Sequence, residues 1–151
     1  MTGTRGATRL EAFRGQTRMS DTISSRSAVV LFAHGAREPE WTLPFERLRE
    51  RLRAAGLRAE LAYLASTAPS LEQAVDALVE EGRDLVTIVP MFLAQGGHLK
   101  TDLPMLIEKL RARHAGAELR VMAPLGEVPE VLDAMAAWIE RSALPAAQEK
   151  R

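Results

Sequence analysis

Two short segments of this chain set histidine beside glycine: His34-Gly35-Ala36-Arg37-Glu38-Pro39 and Gln95-Gly96-Gly97-His98-Leu99-Lys100. Neutral imidazole is a good ligand for borderline divalent cations such as cobalt, nickel, zinc or iron(II). It suits magnesium or calcium poorly, because those ions take oxygen. Two facing imidazoles with no third protein ligand leave a metal site open, which is the form needed if the ion is to be passed on rather than stored. Glycine beside each histidine lets the backbone turn sharply and lets a ligand come close. Gly96-Gly97 is also readable as a plain turn or as a weak phosphate cradle at a helix start. It lacks the spacing of the dinucleotide and P-loop fingerprints, so no nucleotide is expected.

The ligand inventory is short. The chain has 151 residues, no cysteine and three histidines, so disulfides, thiolate ligands, iron–sulfur clusters and cysteine nucleophiles are excluded. His114 lies among Arg111, Arg113 and Gly116 at a predicted helix end, where a partial positive charge suits the dipole, and is read as structural. No serine sits in a nucleophile elbow and no aspartate partner for His34 is evident, which argues against a hydrolase.

The elements that must position the two histidines follow from periodicity. Ala28 to Ala33 is a continuously apolar run, as expected of a strand buried on both faces. A helix is predicted from about Pro39, with Phe45, Leu48, Leu52 and Ala55 on one face and Gly56 at its end. The charged residues of Glu46–Arg53 read as its solvated side. Leu57 to Ala65 reads as a second strand. Ser70 with Gln73 is a capping-box signature ahead of Leu71, Ala74, Val75, Leu78 and Val79, and Gly82 closes that helix. Leu85 to Phe92 is a third strand whose Pro90 marks an end or irregularity. A helix is expected from about Thr101 or Asp102, with Pro104 in its first turn and Leu103, Leu106, Ile107 and Leu110 inward. Glu118 to Ala123 gives a fourth strand. A last helix from Pro129 is predicted to bury Val131, Leu132, Met135, Trp138 and Ile139.

Strand and helix alternate four times with short connections. The fold class is therefore α/β, a three-layer sandwich around a four-stranded, mainly parallel sheet. Ligands of such sheets sit beyond the carboxyl ends of the strands, where strand order reverses. In a 2-1-3-4 order the first and third strands are neighbours, about 4.8 Å apart, so His34 and His98 would approach one point.

The zero net charge conceals an uneven distribution. Residues 1–27 carry five Arg against Glu11 and Asp21, and residues 143–151 carry Lys150 and Arg151 against Glu149, leaving residues 28–142 at net −4. That balance argues against nucleic acid, which calls for a basic stripe on the folded part. Residues 1–27 are expected to be a disordered extension, 28–142 the working domain and 143–151 a flexible tail. The Arg- and Ser-rich start resembles a transit peptide, and Met19 begins a plausible shorter chain. No apolar run reaches the roughly 20 residues needed to span a bilayer, so no membrane partner and a cytoplasmic location are expected.

The segments Leu31-Phe32-Ala33-His34-Gly35-Ala36-Arg37, Glu60-Leu61-Ala62-Tyr63-Leu64, Pro69-Ser70-Leu71-Glu72 and Val89-Pro90-Met91-Phe92-Leu93-Ala94-Gln95-Gly96-Gly97-His98-Leu99-Lys100-Thr101-Asp102-Leu103-Pro104 together resemble the short CbiX-type sirohydrochlorin chelatases. The resemblance runs in order over about residues 28–140. The family's first element more usually reads His-Gly-Ser-Arg; Ala36 stands in place of that serine. The resemblance implies one lobe of the class II chelatase architecture, pairing as a homodimer. It also implies insertion of a divalent metal, cobalt ahead of iron or nickel, into sirohydrochlorin without ATP, in cobalamin or related tetrapyrrole synthesis. The family's two metal-binding histidines map onto His34 and His98, which would present the metal and share in proton removal. The substrate is a polycarboxylate and the domain is acidic, so cations must be local; Arg37 and Lys100, with the amides of Gly96 and Gly97, are the candidates for holding it. Glu38, and less directly Asp102 or Glu127, could assist as bases. A non-catalytic carrier of metal or tetrapyrrole would use the same two histidines without turnover.

Overall fold

The structure, a computed structural model, describes residues 26–35, 38–64 and 67–143. The expected extension and tail lie outside these residues, except for their ends at Arg26, Ser27 and Ala143, as do Ala36 and Arg37. Four strands, β1 (Ser27–Ala33), β2 (Ala59–Tyr63), β3 (Leu85–Pro90) and β4 (Glu118–Val121), alternate with four helices, α1 (Leu43–Ala54), α2 (Leu71–Glu80), α3 (Gly97–Arg113) and α4 (Pro129–Ala143). Short 3₁₀ turns at Pro39–Trp41 and Leu125–Glu127 precede α1 and α4. The sheet order is β2-β1-β3-β4 and every pairing is parallel. The reversal of strand order therefore falls between β1 and β3, as expected.

Two apolar clusters lie on opposite faces of the sheet. On one face α2 and α3 bury Leu71, Val75, Leu78, Leu103, Ile107 and Leu110 against Val30, Phe32, Val86, Ile88 and Leu119. On the other, Phe45, Leu48 and Leu52 of α1 cover Leu31, Ala33, Leu61 and Tyr63. α2 starts as its sequence dictates: the Gln73 amide donates to Ser70 Oγ (3.2 Å) and the Ser70 amide to Gln73 Oε1 (2.9 Å), completing the capping box. Fully buried Pro90 ends β3. The Met122 amide still donates to the Ile88 carbonyl (2.9 Å); the next rung would need a donor at residue 90, and proline has none.

Three expectations are corrected. α1 does not begin at Pro39: a 3₁₀ turn intervenes and the helix starts at Leu43, with Pro44 in its first turn, where a missing amide costs nothing. α3 begins at Gly97, four residues before the expected start, and Pro104 lies inside it. Pro104 removes only the bond that would run to the Lys100 carbonyl. The third correction is larger. α4 buries none of its residues, and Leu132, Met135, Trp138 and Ile139 are all exposed. This helix packs on the 3₁₀ turn before it and completes neither layer. No helix among the described residues is long and apolar enough to cross a membrane.

The C-terminal end of α3 is tied to the middle of α2 by charge. His114, the residue capping α3, donates from Nε2 to Asp76 Oδ1 (2.6 Å), and Arg113 donates to both carboxylate oxygens (2.9 and 3.1 Å). Burial pushes the Asp76 carboxyl up, but the hydrogen bonds from His114 and Arg113 outweigh it and hold the group below its ordinary value. A lowered folded-state pKa contributes stability at pH values above the unfolded value and loses it as pH falls through the folded one. Asp76→Asn is therefore expected to lower Tm at pH 7 by the equivalent of no more than about 1 kcal/mol, since the pair is partly solvated. The gap from the parent chain should close as pH is taken down through the carboxylate range. A Tm difference that stays constant down to acid pH would show that the charge contributes nothing.

Candidate functional site

His34 is the first residue after β1, at the carboxyl edge of the sheet. Its ring meets Phe92 edge-on, with centroids 4.5 Å apart and planes at 67°. Phe92 is buried and stands edge-on to Phe32 (5.7 Å, 85°), so a row of three rings leads from the core out to an exposed imidazole. Aromatic contacts of this geometry fix ring orientation without using a nitrogen. Gly35 follows with φ +77°, and a side chain there would press on Tyr63 Cβ (3.0 Å) and Thr67 Oγ1 (3.1 Å). Both conformation and space demand glycine, as the sequence suggested.

His98 is exposed in the first turn of α3, which departs from the carboxyl end of β3, the strand beside β1. Neither His34 nor His98 has a hydrogen-bond partner for its ring among the described residues. His114 is the contrast: its Nε2 is taken by Asp76. The nitrogens of the two edge histidines are therefore free for a ligand. No group of three or more His, Asp or Glu side chains among the described residues is placed to hold a metal ion, which leaves the imidazole pair as the candidate ligand set.

The early start of α3 changes what the second loop offers. Gly96 is the N-cap, in extended conformation and without a side-chain cap, and the Lys100 amide closes the first turn on the Gly96 carbonyl (3.2 Å). Glycine was expected here for a sharp turn, yet neither Gly96 nor Gly97 has positive φ, and a side chain at either would meet nothing within 4 Å. The fold does not require these glycines. What they leave open is space outside the chain, around the unpaired amides of an uncapped helix start.

Two cavities flank the edge. One of about 380 Å³ is lined by His34, Gly35, Trp41, Thr42, Phe45 and Met91. The other, about 350 Å³, lies between α3 and β4 and includes Gln95, Leu99, Lys100, Val121 and Met122. They share no lining residue, so His34 and Lys100 serve different walls of the edge. Lys100 is exposed and has no carboxylate partner among the described residues. Glu38, Asp102 and Glu127 are all exposed.

One residue escaped the sequence reading. The Gly126 amide donates to the Phe92 carbonyl (3.1 Å), and a side chain at Gly126 would collide with the Leu93 carbonyl oxygen. The turn after β4 thus clamps the loop that carries Phe92 under His34. Only the Leu-Gly-Glu turn itself hinted at it in sequence.

The fold is a parallel α/β sandwich whose topological switch point lies between β1 and β3, with His34 and His98 on the segments that leave those two strands. The CbiX family model matches residues 28–142, and the chain belongs to the CbiX family. It is 30% identical over 113 residues to the sirohydrochlorin cobaltochelatase of Saccharolobus solfataricus, a match covering 69% of this chain and 88% of that protein. Among solved structures it is similar to a CbiX protein of cobalamin biosynthesis from Marinobacter aquaeolei (33% identity, TM-score 0.69, covering 78% of this chain and 97% of that one). It also shares the fold of the sirohydrochlorin chelatase SirB from Bacillus subtilis subspecies spizizenii, solved with cobalt (23% identity, TM-score 0.64); there the match covers 77% of this chain and 50% of SirB.

The glycines can be told apart by substitution. Gly126→Ala is expected to lower Tm clearly, because the added methyl meets backbone and not a yielding side chain. Gly97→Ala should leave Tm unchanged or raise it by up to about 1 kcal/mol equivalent, since alanine is the better helix residue. Thermal melts of both variants check this; equal losses would mean that Gly97 is held by the fold after all.

Proposed function

We propose that this protein is a sirohydrochlorin chelatase that inserts a divalent metal, cobalt first, into the tetrapyrrole without a nucleotide, as a homodimer in the cytoplasm. The observation that carries the reading is the pair of exposed imidazoles with unshared nitrogens in a CbiX-family fold, His34 directly after β1 and His98 in the first turn of the helix that follows the neighbouring β3. The relatives named sirohydrochlorin cobaltochelatase support cobalt over iron or nickel.

The reaction joins sirohydrochlorin and M²⁺ to give the metallated ring and two protons. The metal must lose water, two pyrrole N–H groups must lose protons, and the ring nitrogens must face the ion. His34 and His98 hold the cation through neutral nitrogens, each free to accept a proton once it no longer ligates. The edge-on contact with Phe92 keeps His34 aimed. Substrate carboxylates are met by the exposed Lys100, the open amides around Gly97 and the helix start that carries them, with Arg37 as the further cation. Glu38 is the nearest carboxylate in sequence to His34 and is the candidate for assisting proton removal.

Anaerobic incubation with sirohydrochlorin and cobalt(II), followed by absorbance, tests the reading. The parent chain should metallate the ring well above the uncatalysed rate. His34→Ala and His98→Ala should each lose roughly 10²-fold or more, the scale of a lost acid–base or ligand role. Tight binding of metal or ring with no rate enhancement would make the protein a carrier instead. The Arg37→Ala/Lys100→Ala variant should raise KM for the tetrapyrrole while leaving Tm in place; an unchanged KM would remove both residues from substrate binding.

A further inference from the structure

Trp41 is a feature of the edge that neither the core nor the two histidines account for. Its side chain is 70% exposed and belongs to neither apolar cluster of the sheet. Tryptophan is highly buried on average, and an indole left in water forgoes the stabilisation of the apolar area it carries. The indole stands on a fixed base. Trp41 ends the 3₁₀ turn Pro39–Trp41, and its amide donates to the Glu38 carbonyl (3.2 Å). Thr42 beside it is buried; its carbonyl accepts from the amides of Phe45 and Glu46 (3.0 Å each), and its hydroxyl donates to Glu46 Oε1 (2.9 Å). The turn is thereby fastened to the start of α1 while its aromatic side chain points away from the core.

Its position gives the indole a use. Trp41 lines the cavity of about 380 Å³ that His34 also lines, together with half-buried Phe45 and Met91 and with Thr42, whose hydroxyl is already taken. No charged side chain among the described residues lines this cavity. An apolar and aromatic lining with one placed polar group is the make-up of a small-molecule site, and the volume lies at the lower end of the usual range of about 300–1,000 Å³. The cavity beside α3 differs in kind, since Lys100, Glu108 and Arg111 stand among its lining residues. The first cavity suits a flat apolar face with metal-binding atoms close by; the second suits charged groups.

Resting on the chelatase reading, we propose that Trp41 is the residue on which the tetrapyrrole lies: the indole stacks on one face of the macrocycle, beside Phe45 and Met91, and so brings the ring nitrogens to His34. A tetrapyrrole has the matching chemistry, with a flat conjugated face, nitrogens at its centre and carboxylates only at its rim. The cavity takes part of the ring, and the exposed indole extends the apolar surface beyond it. The rim carboxylates stay outside, where Lys100 and the open start of α3 receive them. An aromatic side chain carried on a hydrogen-bonded turn is held in place before the ligand arrives, which lowers the ordering cost of binding. Stacking against a conjugated ring adds attraction beyond the area that it buries. The division of labour is then between a face contact at Trp41, a metal contact at His34 and charge contacts at the rim.

Anaerobic titration of metal-free sirohydrochlorin into the full chain, followed by absorbance, reads the affinity for the ring without turnover. Trp41→Ala is expected to weaken it about tenfold, the scale of an aromatic stacking contact. Trp41→Phe keeps a flat ring and should retain most of the affinity. Cobalt(II) binding in the absence of the ring, read by calorimetry, should be the same in the parent chain and both variants. In the metallation assay Trp41→Ala should raise KM for the ring more than it lowers kcat, with Tm unchanged because the indole supports no core. Unchanged ring affinity in Trp41→Ala would overturn the proposal. So would equal losses in the alanine and phenylalanine variants, a matching loss of cobalt affinity, or a changed sedimentation coefficient with ring binding intact, which would make the indole a protein contact. A parent chain that binds no ring overturns it together with the chelatase reading. Ring binding through Trp41 without metallation would sink the chelatase reading and leave this assignment standing; metallation with a KM indifferent to Trp41 would do the reverse.

Discussion

Everything at the site depends on β1 and β3 being parallel neighbours. The register runs Leu31 with Val89 and Phe32 with Pro90, and the Met91 amide donates to the Phe32 carbonyl (2.8 Å). Because both strands point the same way, the loops that leave them emerge at one edge, and residues nearly sixty positions apart meet there. The two crossovers then diverge, one toward β2 and one toward β4, which opens a crevice that no loop must cross. Once this pairing is made, His34 and the loop that leads to His98 leave the sheet side by side.

Around that pairing the fold supplies stiffness on one side and openness on the other. Phe32, Phe92 and His34 form a row in which each ring limits the next, and the turn at Gly126 fastens the Phe92 loop from above. Opposite it, the start of α3 has no cap and no side chain at positions 96 and 97. A site that must bind and then release two different ligands benefits from this division: one imidazole fixed by contacts that spare its nitrogens, the other on a helix end open to approach.

Much of the fold was legible in the residues. The buried strands announced themselves as short apolar runs, α2 by its capping box, and the switch point by the alternation of elements; His34, His98, Gly96, Gly97 and Lys100 were singled out from residue type and position, and they fall on the segments leaving β1 and β3. What could not be read has definite causes. Pro104 looks like a first-turn residue because proline is favoured there, and only the packing of Leu99 and Leu103 against the sheet shows that the helix has already begun. Gly126 matters through an approach to Leu93 that exists only after folding. The stripe on α4 has the spacing of a buried face, but periodicity carries no information about what packs there, and the structure leaves it exposed where the spacing predicts core.

The charge distribution bears on the order of events at the edge. Residues 28–142 are net −4, which draws divalent cations toward the molecule and repels a polycarboxylate. At the edge itself the sign is reversed locally by Lys100 and the positive end of a 17-residue helix. A cation held by His98 would sit against that end and be retained less firmly than imidazole alone would hold it. A polyanionic ring arriving there meets attraction, and its own carboxylates offset the field that loosens the metal. On the proposed reading, the same helix start that receives the tetrapyrrole weakens the protein's hold on the ion, so transfer to the ring nitrogens is favoured at the place where the ring is bound.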